Sequence, residues 1–205
     1  MTDYSYFTIK GPAQGSYREK GSKFLAYAYP VTDENQIKEK LEQLKKEYFD
    51  ARHHCYAWVL GVRKERFRVY DDGEPGHTAG DPILGQIRSR NLTNVLVVVV
   101  RYFGGVKLGV GGLISAYRTA ASLALQQASI VEQEVMKSFR LSYTYDQTPE
   151  IMRLIKQVGA SVVKQEFESE CRVEISMAVL KASRFSEHVA LLKRKGVAVE
   201  EIGLT

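Results

Sequence analysis

The segment VLVVVVRYFGGVKLGVGGLISAYRTAASLALQQA, which occupies residues 95–128, predicts the centre of the fold. Its first six residues are all aliphatic, and such an unbroken run is typical of a central strand that is buried on both faces. The glycine-rich part that follows favours a tight turn. The remainder, rich in Ala, Leu and Gln, favours a helix. A buried strand, a turn and a helix are therefore predicted in this order.

Upstream of this segment, the pattern predicts strands, one helix and a hairpin. The first 30 residues alternate aromatic and polar positions, as in short antiparallel strands. Asp33, followed three residues later by Gln36, resembles a capping box, and apolar residues at helical spacing follow it. Residues 54–60 and 66–70 flank a charged turn and predict a hairpin.

Downstream, a new pattern begins near residues 130–137 and predicts a second domain. A strand at residues 139–145, a helix from Pro149 to Gly159, two strands, a helix at residues 183–195 and a last strand follow one another. The order βαββαβ is that of the ferredoxin-like fold. We therefore expect two domains, residues 1–132 and 133–205, and an α+β fold class.

Composition indicates an ordinary globular protein. Hydrophobic residues make up 44% and charged residues 26% of the 205 residues, which excludes a disordered chain. The first residues lack a basic region followed by an apolar core, and the longest aliphatic run is too short to cross a bilayer. We therefore expect a cytoplasmic protein that does not bind membranes, with Cys55 and Cys171 as core thiols.

Charge is distributed unevenly along the chain. The net charge of +5 is too mild to identify a nucleic-acid-binding protein by itself. Between Pro82 and Val131, however, there is no acidic residue. The five basic residues of this region are Arg88, Arg90, Arg101, Lys107 and Arg118.

The segment VYDDGEPGHTAGDPILGQIRSR, at residues 69–90, concentrates acids, a histidine, glycines and prolines. Carboxylates and imidazole are what hydrolytic metal sites and acid/base centres use. No spacing matches a known metal motif, whereas Asp-Gly and Pro-Gly form turns. A structural or partner-binding loop, an acid/base centre and a metal site therefore stay open. The candidate ligands are His53, His54, Asp71, Asp72, Glu74, His77 and Asp81.

The glycine turn GGVKLGVGGLI precedes the predicted helix, where backbone N–H groups and the helix dipole favour anions. It matches neither the phosphate-binding loop of nucleotide hydrolases nor a dinucleotide fingerprint, so a purely structural turn is the alternative. If it binds anions or RNA, we expect one face made by Arg101, Lys107, Gly109, Gly111, Gly112 and Arg118.

The segments RHHCYAW, DDGEPGHTAGDPIL and VVVVRYFGGVKLGVGGLISAYR together resemble the IMPACT family in its bacterial, YigZ-type form. The resemblance begins near Gly15 and, with the carboxy-terminal part, covers almost the whole chain. It implies an amino-terminal domain similar to the second domain of ribosomal protein S5. It also implies a ferredoxin-like domain similar to the fifth domain of elongation factor G.

The resemblance implies a function in translation, since both relatives act on RNA or the ribosome. Eukaryotic members dampen the amino-acid-starvation kinase, but they have a further partner-binding domain. We therefore expect a non-catalytic protein without a metal or cofactor, which binds RNA, the ribosome or a translation-associated protein. The expected recognition loop contains Asp71, Asp72, Glu74 and His77. The alternative is a nucleotide- or metal-dependent enzyme that uses the glycine turn and the DDGEPGH loop.

Overall fold

The computed structural model describes residues 4–168 and 170–204 and divides into two compact units. The amino-terminal unit is Tyr6–Gln133, and the carboxy-terminal unit contains residues 134–204 together with Tyr4 and Ser5. Helices and strands are mixed in both. The expected α+β class with two domains is confirmed.

The amino-terminal unit is built around a five-stranded antiparallel sheet. Its elements are β1 (Ser5–Ile9), β2 (Ala13–Glu19), β3 (Ser22–Pro30), α1 (Glu34–Glu47), β4 (His53–Leu60), β5 (Arg66–Tyr70), α2 (Gly80–Ser89), β6 (Val95–Tyr102), α3 (Gly109–Gln127) and β7 (Ile130–Glu134). The strand order of the sheet is β2-β3-β6-β4-β5, and β6, at its centre, is the aliphatic run of the sequence.

Both faces of this sheet are covered, which explains why β6 contains no polar residue before Arg101. On one face, Val97 and Val99 of β6 pack in a core with residues of α2 and α3. On the other face, Leu96 and Val98 pack with Ile37 and Leu44 of α1. Because successive side chains of a strand point to opposite faces, a strand with helices on both faces must be apolar throughout.

Local sequence signals determine several of these elements. The side chain of Asp33 accepts a hydrogen bond from the backbone N–H of Gln36 at 2.9 Å and thereby caps α1, as predicted. The predicted hairpin is β4 and β5, which pair in antiparallel register. Lys20, with a positive φ of 45°, and Gly21 form the turn between β2 and β3.

The segment expected to separate the domains is not an open linker. It contains β7, which forms a two-stranded sheet with β1, and Val135 is buried. The division falls between Gln133 and Glu134, and the proposed domain limit at residues 132 and 133 stays a prediction.

The carboxy-terminal unit contains a four-stranded antiparallel sheet. Its elements are β8 (Met136–Tyr143), a 3₁₀ turn (Tyr145–Gln147), α4 (Thr148–Gln157), β9 (Ser161–Phe167), β10 (Cys171–Ala178), α5 (Val179–Arg194) and β11 (Ala198–Leu204). The strand order of the sheet is β11-β8-β10-β9, which is the order 4-1-3-2 expected for the ferredoxin-like fold. The core of the unit contains Phe139, Leu141, Ile155 and Phe185.

Candidate functional site

The loop between β5 and α2 is organised by Asp71, the first residue after β5. Its Oδ1 accepts hydrogen bonds from the backbone N–H groups of Ala79 and Gly80, at 3.0 and 2.8 Å, and its Oδ2 accepts one from His77 N at 2.9 Å. Burial by itself would raise the pKa of Asp71, but these three bonds hold it below its usual value. Asp71 therefore closes the loop and caps α2, whose own N-cap residue is an alanine.

Asp72 fixes the two histidines at the start of β4. Its Oδ2 accepts a hydrogen bond from His54 N at 2.6 Å, and its carbonyl oxygen lies 2.7 Å from Nδ1 of His53. The φ of Asp72 is +44°, a left-handed conformation that asparagine and aspartate tolerate better than most residues. Burial lowers the pKa of His54, which is therefore neutral at pH 7. This contact connects the loop to the sheet.

Glu74 points into the unit rather than towards solvent. Its Oε1 accepts hydrogen bonds from Nη1 of Arg101 at 2.5 Å and from the hydroxyl of Tyr117 at 2.7 Å. The side chains of Glu74 and Arg101 are only 4% and 6% exposed. The loop, the end of β6 and α3 are thus joined through one buried ion pair.

Cys55 and Tyr117 complete this buried network. The thiol of Cys55 lies 3.0 Å from the carbonyl oxygen of Asp71 and 3.3 Å from the hydroxyl of Tyr117. Burial raises the pKa of Cys55 and also that of Tyr117, each above its usual range. Both groups stay protonated at neutral pH, so the thiol is not activated as a nucleophile.

The turn between β6 and α3 depends on glycine at Gly104. A Cβ atom at this position would lie 1.9 Å from the carbonyl carbon of Gly21, so only glycine fits where the two turns cross. The Oγ of Ser22 accepts a hydrogen bond from Gly104 N at 3.2 Å. Phe103, the residue before Gly104, is 43% exposed and packs beside the guanidinium of Arg101.

The helix α3 begins at Gly109, whose φ of +72° a larger residue would adopt only with strain. Within the described part of the chain, no side chain caps the amino end of this helix. The first backbone N–H groups of a helix lack intrahelical partners and carry a partial positive charge. The amino end of α3 is therefore open to an anion.

An open cleft of about 460 Å³ lies between the loop and this helix end. Glu74 and His53 line it on the side of the sheet, and Lys107 and Phe103 line it on the side of the turn. The lining residues are Arg52, His53, Glu74, Pro75, Arg101, Phe103, Lys107, Leu108, Gly109, Val110 and Leu113. We call this site the loop–turn cleft.

The structure brings together only part of the predicted anion-binding face. Lys107 and Gly109 line the loop–turn cleft, whereas Arg118 is an exposed residue on α3, about 13 Å along the helix axis from Gly109, and lies outside the cleft. Gly111 and Gly112 belong to the first turn of α3, next to the lining residues Val110 and Leu113. That these glycines and Arg118 bind an anion together with Lys107 stays a prediction.

Arg101 also differs from expectation. It lines the loop–turn cleft, but its charge is paired with Glu74, an acid that is distant in sequence. In the expected recognition loop, Asp71, Asp72 and Glu74 likewise have internal partners. His77, whose side chain is 87% exposed and hydrogen bonded to Asp81, remains open to a partner. Any role of these residues in binding stays a prediction.

Three residues of the cleft are not predicted as RNA-binding residues by the sequence. His53 is predicted only as a candidate metal ligand, and neither Arg52 nor Phe103 carries a local binding signal. His53 lies opposite Arg101 in the pairing of β4 with β6, which places it beside the glycine turn. The dipeptide His53-His54 was the one local signal. Among residues 4–168 and 170–204, no group of three or more His, Cys, Asp or Glu side chains is placed to hold a metal ion.

Comparison with known proteins identifies the family. The model of the Impact N-terminal domain matches residues 20–125. The chain is 31% identical to IMPACT family member YvyE of Bacillus subtilis, over 98% of this chain and 93% of the relative. It is 31% identical to IMPACT family member YigZ of Escherichia coli, over 89% of this chain and 92% of the relative.

A solved structure, described as that of a hypothetical protein, superposes on the chain with a TM-score of 0.79 and 28% identity. The alignment covers 98% of this chain and 99% of that one. No helix in the described residues is long and apolar enough to span a membrane. With a family model that matches more than half of its length and two relatives that match nearly all of it, the chain belongs to the IMPACT family.

Proposed function

We propose that the protein is a cytoplasmic, non-catalytic regulator of translation that binds single-stranded RNA in the loop–turn cleft. The observation that carries the proposal is the charge at its rim. Lys107 and Arg52 line the cleft, and no carboxylate of the described residues lies within ion-pair distance of either. Cations without an internal partner, beside an uncapped helix end, are suited to RNA phosphates.

Exposed aromatic and aliphatic side chains at the same end of the sheet support this proposal. Phe103 lines the cleft, and Val106 and Val110 are more than half exposed. Phe49 is 83% exposed and lies in the loop before β4, where the carboxylate of its neighbour Asp50 accepts a hydrogen bond from Tyr102. Unpaired bases stack on such side chains without strong sequence preference.

The acids of the loop support a binding role over acid/base chemistry. Asp71 and Asp72 accept hydrogen bonds from backbone N–H groups, and Glu74 neutralises Arg101. Both oxygens of Asp71, Oδ2 of Asp72 and Oε1 of Glu74 are held by contacts within the unit. The loop rather supports the shape of the cleft.

A binding measurement tests the proposal. Fluorescence anisotropy with a labelled ten-residue oligoadenylate, at several salt concentrations, gives the affinity and its salt dependence. We expect Lys107→Ala to weaken binding and to reduce the slope of log K against log [salt] by about one unit. Lys38→Ala, which removes an equal charge from α1, is the matched control and is expected to leave both unchanged.

Two results would contradict the proposal. One is an unchanged affinity of the Lys107→Ala variant. The other is the absence of RNA binding by the wild-type protein. Salt-tolerant capture of a translation-associated protein would then transfer the function to a protein partner.

A further inference from the structure

The floor of the loop–turn cleft presents hydrogen-bond acceptors. Nδ1 of His53 lies 2.7 Å from the carbonyl oxygen of Asp72. A carbonyl oxygen only accepts, so Nδ1 carries the proton and donates. In the neutral ring, Nε2 then holds a lone pair and is an acceptor. One backbone contact therefore determines the tautomer of His53.

This lone pair has no donor in the part of the chain that the structure describes. Oε1 of Glu74 lies 3.9 Å from Nε2, which is too distant for a hydrogen bond, and it is itself an acceptor. Oε1 already accepts from Arg101 and Tyr117, and among the described residues Oε2 of Glu74 has no partner. Nε2 of His53 thus lies beside a carboxylate that also lines the cleft, and its hydrogen bond must be donated by a molecule that enters the cleft.

We infer that this floor accepts the hydrogen bond of a ribose 2′-hydroxyl and makes the loop–turn cleft selective for RNA over DNA. The inference rests on the proposed function and names the sugar that the same site prefers. A phosphate held by Lys107 at the rim brings the sugar of its own nucleotide into a cleft whose size suits a nucleotide.

Deoxyribose lacks the hydroxyl, so DNA would leave Nε2 of His53 desolvated and unpaired. Sites that provide buried acceptors for a hydroxyl reject the analogue without it, because a desolvated polar group without a partner is costly. The 2′-hydroxyl is the group through which proteins distinguish RNA from DNA.

The test compares three sugars on one sequence. Wild-type protein is titrated with ten-residue oligoadenylates that carry ribose, deoxyribose or 2′-fluororibose. Fluorine retains the sugar conformation of RNA but donates no hydrogen bond. We expect ribose to bind about tenfold more tightly than either of the others, as one well-placed hydrogen bond allows. Equal affinity for ribose and 2′-fluororibose would overturn the inference.

Two substitutions assign the effect to His53. His53→Asn retains a donor at the position of Nδ1 and removes Nε2, so we expect the preference for ribose to disappear. The affinity for DNA should rise towards that for RNA, because no unpaired acceptor is left to desolvate. His53→Gln restores an acceptor near the position of Nε2 and is expected to recover part of the preference. Preserved discrimination in a folded His53→Asn variant would also overturn the inference.

The two proposals fail in distinguishable ways. If RNA binding depends on Lys107 but all three sugars bind equally, only the recognition of the 2′-hydroxyl is wrong. If no oligonucleotide binds, the proposed function is wrong. The emission of Trp58, which is buried in the amino-terminal unit, reports whether each variant is folded.

Discussion

Substitution of Glu74 by Gln tests whether the acid of the loop is structural. The change removes the negative charge but retains the shape of the side chain. Arg101 would then be a cation with 6% of its side chain exposed and, in the described structure, no other carboxylate beside it. Its remaining hydrogen bond, from Nη2 to the Oγ of Ser22, is long at 3.4 Å, and its Nε has no partner among the described residues.

Removal of one partner from a buried ion pair typically costs about 3–5 kcal/mol, because the other charge stays buried without compensation. For a chain of this size, the loss corresponds to a fall of roughly 6–20 °C in melting temperature. The double variant Glu74→Gln, Arg101→Met removes both charges and is expected to regain at least about 2 kcal/mol relative to Glu74→Gln alone.

Urea unfolding followed by tryptophan fluorescence measures this effect directly. Trp58 is the single tryptophan of the chain, so the signal reports the amino-terminal unit. A loss below about 1 kcal/mol, as expected for a solvent-exposed pair, would show that Glu74 and Arg101 do not form a buried ion pair. A double variant that is no more stable than Glu74→Gln would show that the loss of stability does not arise from the unpaired cation.

Three further predictions concern other residues of the same unit. Gly104→Ala is expected to lower the free energy of unfolding by more than about 2 kcal/mol, because its Cβ would overlap the backbone of Gly21. An unchanged midpoint of urea unfolding would contradict the close crossing of the two turns. A Cβ at Gly111 would meet no described atom within 4 Å, so Gly111→Ala is expected to raise the free energy of unfolding by up to about 1 kcal/mol. The same substitution is expected to weaken RNA binding, because the added methyl group would stand where a phosphate approaches the first turn of α3. Unchanged binding would show that no phosphate approaches this turn. Burial lowers the pKa of His54, so below about pH 6.5 the unfolded chain binds a proton at this residue more readily than the folded one, and stability falls as the pH drops. His54→Gln is expected to flatten this pH dependence of the free energy of unfolding between pH 7 and 5. An unaltered dependence would show that His54 is not its source.

Local patterns predicted most of the secondary structure. The aliphatic run forms β6, and Asp33 caps α1 as its spacing from Gln36 predicts. The order of strands and helices in the carboxy-terminal part is that of the ferredoxin-like fold. These signals depend on backbone propensity, capping and the spacing of apolar residues, all of which are read within a few positions. The pairing of β1 with β7 was not predicted, because it joins segments more than 100 residues apart.

The composition of the site was visible in the sequence, but its chemistry was not. The acids, the histidines and the glycine turn were all identified, yet nothing local indicates that Glu74 neutralises Arg101 or that Asp72 sets the tautomer of His53. Those contacts depend on which strands are neighbours and in which register, since the pairing of His53 with Arg101 brings the start of β4 beside the end of β6. Residue types and local spacing indicate which groups are present and which elements carry them. Which charges are neutralised inside the unit and which face solvent depends on the folded unit, because long-range strand pairing and burial determine the partners of each side chain.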